Sequence, residues 1–155
     1  MKICEVLKPE NVIPQLNGTT KNELIDELID LFKDDPRVLD ISAIRNEVLE
    51  RENIMSTGVG HGFGIPHCKT NKVSGILAAF GKTKKPIDFQ SLDGEPVNLI
   101  FLLIGKDNLV VPHIKLLSRI SLLMNKGLVR EKLLVADTAS EIYKIFEDEE
   151  KNISN

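Results

Sequence analysis

Apolar residues recur at helical spacing in four segments, two of which lie in the first third of the chain. The first, "TTKNELIDELIDLFKDDP", opens with a possible capping box formed by Thr20 and Glu23 and ends at Pro36. The second, "DISAIRNEVLERE", carries Arg51 near its C-terminal end. Both segments are predicted to be helices that pack one face on the core. The predicted inward residues are Leu24, Leu28, Leu31 and Phe32 in the first and Ile44, Val48 and Leu49 in the second.

The other two helical segments lie in the last third of the chain. "VPHIKLLSRISLLMNKG" places Pro112 in a first helical turn, where its missing N–H costs little, and Gly127 where a C-terminal stop belongs. His113 then also lies in the first turn. "TASEIYKIFEDEE" opens with a second possible capping box. The predicted inward face of the third helix is Ile114, Leu117, Ile120 and Met124, and the second capping box is Thr138 and Glu141.

Between these helices the pattern changes to short and almost continuously apolar runs. "VSGILAAFG" and "VNLIFLLIG" are bounded by glycine or polar residues, which suits strands that are buried on both faces. The segment between them contains Pro86 and an Asp93-Gly94 turn signal, which predict an edge strand and a hairpin-like return. Because helices precede and follow these strands, we predict an α/β sandwich.

Composition narrows the classes of function. With 155 residues, 42% of them hydrophobic, the chain is long enough for one domain with a substantial core. A net charge of -3 and the absence of tryptophan argue against nucleic acid binding. The longest apolar run, "LIFLLI", is too short to cross a bilayer, and the N-terminus lacks a signal-peptide pattern. Cys4 and Cys68 are not spaced as a zinc or redox pair, so we expect free thiols in the cytoplasm.

The stretch "STGVGHGFGIPHCKT", residues 56–70, concentrates the residues with the most chemical interest. Alternating glycines let backbone N–H groups converge on an anion, and a helix start and an arginine can add positive charge. We therefore expect an anion site formed by these glycines, Arg51 and the helix start at His113. No Gly-Lys-Ser/Thr sequence follows the glycines, which disfavours a nucleotide-binding loop.

Histidine chemistry is a second possibility at this stretch. One ring nitrogen of a neutral imidazole can attack phosphorus while a hydrogen bond to the other nitrogen fixes the tautomer. Pro66 stiffens the backbone before His67 and would help to aim its ring. Each residue also has a plain structural explanation: a surface histidine, an arginine favoured by the helix dipole, a buried cysteine. The residues alone predict an anion site and leave open whether histidine chemistry occurs there.

Two blocks of sequence together resemble the enzyme IIA domains of the bacterial phosphotransferase system. The resemblance is to the fructose/mannitol type (type 2), which includes the nitrogen-regulatory IIA proteins. The blocks, "RENIMSTGVGHGFGIPHCK" and "PHIKLLSRISLLM", contain an Arg-Glu pair, a Ser-Thr-Gly-rich loop, an Ile-Pro-His triplet and a histidine that opens a helix. The resemblance runs from about Ile3 to Phe146 and implies one domain over residues 1–155, with its core at about 3–147. It implies a mixed β-sheet flanked by helices on both faces.

By this resemblance His67 would accept a phosphoryl group from the carrier protein HPr or its nitrogen-branch relative. His113 and Arg51 would support that group at the same place. The group would pass to a cysteine of a IIB domain, or its presence would serve as a regulatory signal. The resemblance implies no cofactor, no metal, no nucleic acid partner, and contact with a membrane only through a IIB/IIC permease. The loop expected to cradle the phosphoryl group is Ser56, Thr57, Gly58, Gly60 and Gly62.

Three positions depart from the commoner family pattern. His61 stands where asparagine is frequent, Gly64 where alanine is frequent, and Cys68 where glycine or alanine is found. A redox role for Cys68 is therefore one hypothesis. Two alternatives to a transport phosphocarrier also stay open. One is a regulatory module whose output is partner binding, and the other is a zinc enzyme with ligands from His61, His67, His113 and Cys68.

Overall fold

The computed structural model describes residues 1–153, which form six α-helices, six strands and a 3-10 helix at Pro9–Asn11. The helices are α1 (Ile3–Val6), α2 (Lys21–Asp30), α3 (Ile41–Ile54), α4 (Val110–Met124), α5 (Gly127–Val135) and α6 (Ala139–Glu150). The strands are β1 (Val12–Ile13), β2 (Gly58–Gly60), β3 (Phe63–Gly64), β4 (His67–Thr70), β5 (Ile76–Ile87) and β6 (Val97–Lys106). None of these helices is both long and apolar enough to span a membrane.

β6 lies in the middle of the sheet, and its two edges differ. One edge pairs antiparallel with β5. The other edge pairs parallel with β3 and then with β4, with an interruption at Ile65 and Pro66. β1 adds to β5 in parallel, and β2 adds to β3 antiparallel. The sheet is therefore mixed, as predicted.

Helices cover both faces of this sheet, which confirms the predicted architecture. Alternate residues of β5 enter two clusters: Ile76, Ala78 and Phe80 lie in one, and Leu77 and Ala79 lie in the other. Residues of α1, α4, α5 and α6 complete the first cluster, and residues of α2 and α3 complete the second. Burial on both faces explains why the strands are almost continuously apolar in sequence.

Of each predicted capping box, one of the two reciprocal bonds is present within residues 1–153, the one from the backbone N–H of the glutamate to the threonine hydroxyl. The Thr20 hydroxyl accepts a hydrogen bond from the backbone N–H of Glu23 at 3.2 Å, and the Thr138 hydroxyl accepts one from Glu141 at 3.1 Å. Each bond satisfies an N–H that has no partner within the first helical turn.

The predicted inward face is wrong at two positions. Leu31 follows the last residue of α2 and is 37% exposed, and Ile114 is 57% exposed on α4. The buried face of α4 includes His113 in place of Ile114, so the helix is rotated by about one residue relative to the prediction. The prediction failed here because it was based on the spacing of apolar residues, and histidine is counted as polar.

The predicted stop at Gly127 is also wrong, and the predicted edge strand is the end of a longer strand. α4 already ends at Met124, and Gly127 is the first residue of α5, which buries Val129 and Leu133. The segment with Pro86 is the irregular end of the long strand β5, where the pairing register shifts. The hairpin-like return to β6 is confirmed.

Candidate functional site

His67 is the first residue of β4, where parallel pairing with β6 resumes after the interruption. It pairs with Leu103, and the Leu103 N–H donates to the Pro66 carbonyl at 3.0 Å. Pro66 has a fixed φ and no N–H, so it suits a break in the strand ladder. The backbone on both sides of His67 is thereby fixed to the central strand.

A hydrogen bond to its own backbone holds the His67 ring. Nδ1 lies 2.6 Å from the carbonyl oxygen of Ile65. Because a carbonyl only accepts, Nδ1 carries the proton and the ring lone pair is at Nε2. Burial lowers the pKa of His67, and the positive charge of Arg51 lowers it further. The hydrogen bond to Ile65 raises the pKa but does not outweigh these two effects. The His67 ring is therefore neutral at pH 7.

His113 lies next to His67 but is held differently. The two ring centroids are 5.9 Å apart, and the ring planes are inclined by 52°. The His113 side chain is 2% exposed, and neither ring nitrogen has a hydrogen-bond partner within residues 1–153. Burial, together with His67 and Lys69, lowers its pKa to about 4. The neutral ring therefore has a free N–H to donate.

Gly105 in β6 makes room for the His113 ring, and sequence reasoning missed this role. A Cβ atom at position 105 would lie 2.5 Å from Nδ1 of His113. The only signal in the sequence is that the apolar run "VNLIFLLIG" ends in glycine. That signal does not reveal a contact with a residue of the next helix.

Arg51 joins the two histidines in a cavity of about 430 Å³. It lies in the last turn of α3, and its Nη1 donates to the Met55 carbonyl at 2.8 Å. The structure therefore brings together the three residues predicted to handle the phosphoryl group. The other lining residues are Glu47, Glu50, Ile54, Cys68, Lys69, Ile114 and Leu117.

The loop predicted to cradle the phosphoryl group contacts parts of the protein outside the cavity. The hydroxyls of Ser56 and Thr57 donate to the carboxylate of Glu52 at 3.2 and 2.6 Å. The glycines form the short hairpin of β2 and β3, whose turn has φ values of 58° at His61 and 78° at Gly62. Of the five predicted cradle residues, none is among the described residues that line the cavity. Phosphate binding by this loop stays a prediction.

The two conspicuous neighbours of the motif lie in different environments. His61 is exposed in the hairpin turn, whereas Cys68 is buried. Burial, with a contribution from Glu47, raises the pKa of the Cys68 thiol to about 12. Within residues 1–153, no three His, Cys, Asp or Glu side chains are grouped to hold a metal ion. The ligand set of the zinc alternative is therefore not assembled in this part of the chain.

Comparison with known proteins places this chain in a family. Residues 5–149 match the family model described as "Phosphoenolpyruvate-dependent sugar phosphotransferase system, EIIA 2". The chain therefore belongs to this enzyme IIA family.

Individual relatives come from both branches of the family. The chain is 34% identical over 149 residues to the nitrogen regulatory protein of Bradyrhizobium diazoefficiens, covering 94% of each. It is 33% identical over 151 residues to the fructose-specific EIIABC component of Bacillus subtilis, covering 97% of this chain and 24% of that protein. The structure of nitrogen regulatory protein IIA-Ntr from Neisseria meningitidis is 29% identical with a TM-score of 0.86, covering 92% of this chain and 97% of that one.

Proposed function

We propose that this chain is a phosphocarrier that accepts a phosphoryl group on Nε2 of His67. The observation that carries the proposal is the hydrogen bond from His67 Nδ1 to the Ile65 carbonyl. It leaves the lone pair on Nε2 of a ring that lines the cavity with His113 and Arg51. Membership of the enzyme IIA family supports phosphoryl transfer as the reaction.

In the first step, the Nε2 lone pair attacks the phosphorus of a phosphohistidine on an HPr-type carrier. The N–P bond of the donor breaks, and the donor ring, protonated on its other nitrogen, leaves as neutral imidazole. The phosphorylated His67 ring keeps its Nδ1 proton and becomes cationic, which strengthens the hydrogen bond to Ile65. His113 donates an N–H to a phosphoryl oxygen, and the Arg51 guanidinium offsets the negative charge.

In the second step, the phosphoryl group passes to the thiolate of a IIB cysteine. The sulfur attacks phosphorus, and the electron pair of the N–P bond returns to Nε2. The chain then regains the neutral tautomer with which it began.

Labelling tests the acceptor assignment. Incubation with phosphoenolpyruvate, enzyme I and an HPr-type carrier should add one acid-labile phosphate per chain. His67→Ala should take none, whereas His61→Ala, which removes the exposed histidine of the hairpin turn, should label like the wild type. A His67→Ala protein that labels as well as the wild type would overturn the assignment.

A regulatory output is the second candidate, and the likeness to two nitrogen-regulatory proteins favours it. In this case phosphorylation of His67 changes which protein binds to the chain. Mixing the phosphorylated chain with a purified fructose-type IIB domain separates the two outputs. Rapid appearance of phosphocysteine supports transport, and phosphate that stays on His67 while partner binding changes supports regulation.

A further inference from the structure

A buried carboxylate next to Arg51 in the chain binds several donors outside the cavity. Glu52 is 2% exposed and lies in the last turn of α3. It accepts hydrogen bonds from the Thr57 N–H at 3.0 Å, the Thr57 hydroxyl at 2.6 Å and the Ser56 hydroxyl at 3.2 Å. The Lys21 ammonium lies 3.0 Å from the same carboxylate. Glu52 therefore fixes the start of the glycine-rich stretch to two helices.

Thr57 connects this carboxylate to the proposed acceptor. Its N–H and hydroxyl donate to Glu52, and its carbonyl accepts the N–H of Ile65 at 3.3 Å. The carbonyl of Ile65 in turn accepts Nδ1–H of His67 at 2.6 Å. A continuous series of hydrogen bonds thus runs from Glu52 through Thr57 and Ile65 to His67.

The same network also reaches Phe89, a residue between β5 and β6 whose ring packs against the β2–β3 hairpin. The Lys21 ammonium donates to the Phe89 carbonyl at 3.1 Å. The Ser56 hydroxyl oxygen lies 3.0 Å from the same carbonyl, so its single hydrogen is shared between Phe89 and Glu52. The Phe89 ring packs against the hairpin so closely that a Cβ atom at Gly64 would lie 2.8 Å from its Cε2. Gly64 directly precedes Ile65, so this contact also restricts where the Ile65 carbonyl can lie.

Stability alone is a poor explanation for the Lys21–Glu52 pair. The desolvation cost of a buried ion pair commonly offsets its Coulombic gain, and apolar replacements are often neutral or stabilising. A carboxylate is well suited to a geometric task, because its two oxygens can direct several donors at once.

We propose that Glu52 is a positioning residue for phosphoryl transfer. Through Thr57 and Ile65 it holds the Nδ1–H of His67 and so keeps the attacking lone pair on Nε2. The catalytic part of this proposal rests on the proposed function, whereas the positioning of the ring does not.

Two variants and two readouts test the proposal in the full chain. Glu52→Gln removes the charge and one acceptor oxygen, and Thr57→Val removes one hydroxyl while it leaves the Lys21–Glu52 pair intact. Nitrogen-15 NMR of His67 reports the tautomer, and single-turnover kinetics report transfer from the phosphorylated carrier. Both variants should show an increased fraction of the Nε2–H tautomer. Transfer should slow by roughly 10- to 100-fold in Glu52→Gln, as when groups that orient a histidine are removed, and less in Thr57→Val.

Glu150→Gln is the matched control. Glu150 is also buried, pairs with Arg119 at 3.3 Å, and binds the backbone N–H groups of Ile3 and Cys4 in the other core cluster. Its substitution should lower the melting temperature while the His67 shifts and the transfer rate stay at wild-type values.

The outcomes are distinct. Wild-type tautomer populations in folded Glu52→Gln and Thr57→Val would overturn the proposal, as would an equal change in Glu150→Gln. If Glu52→Gln does not fold, Thr57→Val decides. If the wild-type chain takes no phosphate but the tautomer shifts as expected, the proposed function fails and the positioning stands.

Discussion

The two histidines of the cavity lie 5.9 Å apart, yet the protein holds them in opposite ways. His67 is fixed by a hydrogen bond to Ile65, which belongs to a wider polar network. His113 is fixed by packing over Gly105, and its ring nitrogens have no partner within residues 1–153. The difference fits the roles proposed for the two rings, because an attacking ring requires one tautomer whereas a supporting ring requires a free N–H. A buried polar group without a hydrogen-bond partner costs about 1–3 kcal/mol of folding stability, so the unpaired His113 ring lowers the free energy of unfolding.

His113→Ala should break this comparison most severely. His67 keeps its hydrogen bond and still accepts phosphate, but phosphoryl transfer should slow by about 100- to 1000-fold because a donor to the phosphoryl oxygens is lost. Rapid-quench measurements of transfer to a IIB domain, with His61→Ala as the control, check this. Complete loss of labelling would contradict a supporting role for His113.

The free energy of unfolding should depend on pH through the buried His113 ring. Burial lowers the pKa of His113 from 6.5 to about 4, so between these values the unfolded chain binds a proton that the folded chain does not. Above pH 6.5, where the His113 ring is neutral in both states, this difference takes nothing from the free energy of unfolding. As the pH falls toward 4, the free energy of unfolding decreases by up to about 3 kcal/mol. His67, whose pKa burial also lowers, acts with the same sign. His113→Leu should flatten the pH profile of the free energy of unfolding in urea, and an unchanged slope would refute this account.

Gly105→Ala sharpens the comparison because it disturbs only one ring. The added Cβ atom would lie 2.5 Å from Nδ1 of His113, so the ring must move. We expect a loss of about 1–3 kcal/mol in the free energy of unfolding and no change in the His67 tautomer. Gly75→Ala is the control, because its Cβ atom would meet only the Arg37 side chain, at 3.8 Å. Equal melting temperatures for the two variants would show that the His113 ring adjusts freely.

Cys68→Ala should have the smallest effect. Burial raises the pKa of this thiol to about 12, so the reactive thiolate is scarce at neutral pH. Phosphorylation should therefore be equal in variant and wild type under oxidising and reducing conditions. A difference that appears only under oxidising conditions would restore the redox hypothesis for Cys68.

The site could be predicted from sequence to the extent that it is local. His67 follows Pro66 directly, and Arg51 precedes the glycines by a few residues, so a motif can hold both. His113 entered the prediction through the first turn of its helix, but its inward orientation did not, because the apolar pattern favoured Ile114. Gly105 matters only through a contact with another element, which no spacing along the chain records.

For the fold too, features that depend on neighbouring residues could be predicted, and features that depend on contacts between elements could not. The N-cap bonds of Thr20 and Thr138 and the continuously apolar strands depend on residues close in sequence, and both are confirmed. The helix that begins at Gly127 was missed because tertiary burial of Val129 and Leu133 outweighs the poor helix propensity of glycine. The predicted role of Ser56 and Thr57 as phosphate ligands stays a prediction, and the sequence does not reveal that their hydroxyls contact Glu52.

The side of the hairpin that faces β2 explains why the Ile65 carbonyl is available to the His67 ring. The carbonyls of Gly62 and Pro66 accept N–H groups of β6, whereas the Ile65 N–H points the other way and donates to Thr57. In an antiparallel pair the Thr57 N–H would return this bond to the Ile65 carbonyl, but it donates to Glu52 instead. The carbonyl that is thereby left out of the β2–β3 ladder accepts Nδ1–H of His67. A carboxylate that ends the pairing of a hairpin would thus decide which nitrogen of the proposed acceptor is nucleophilic.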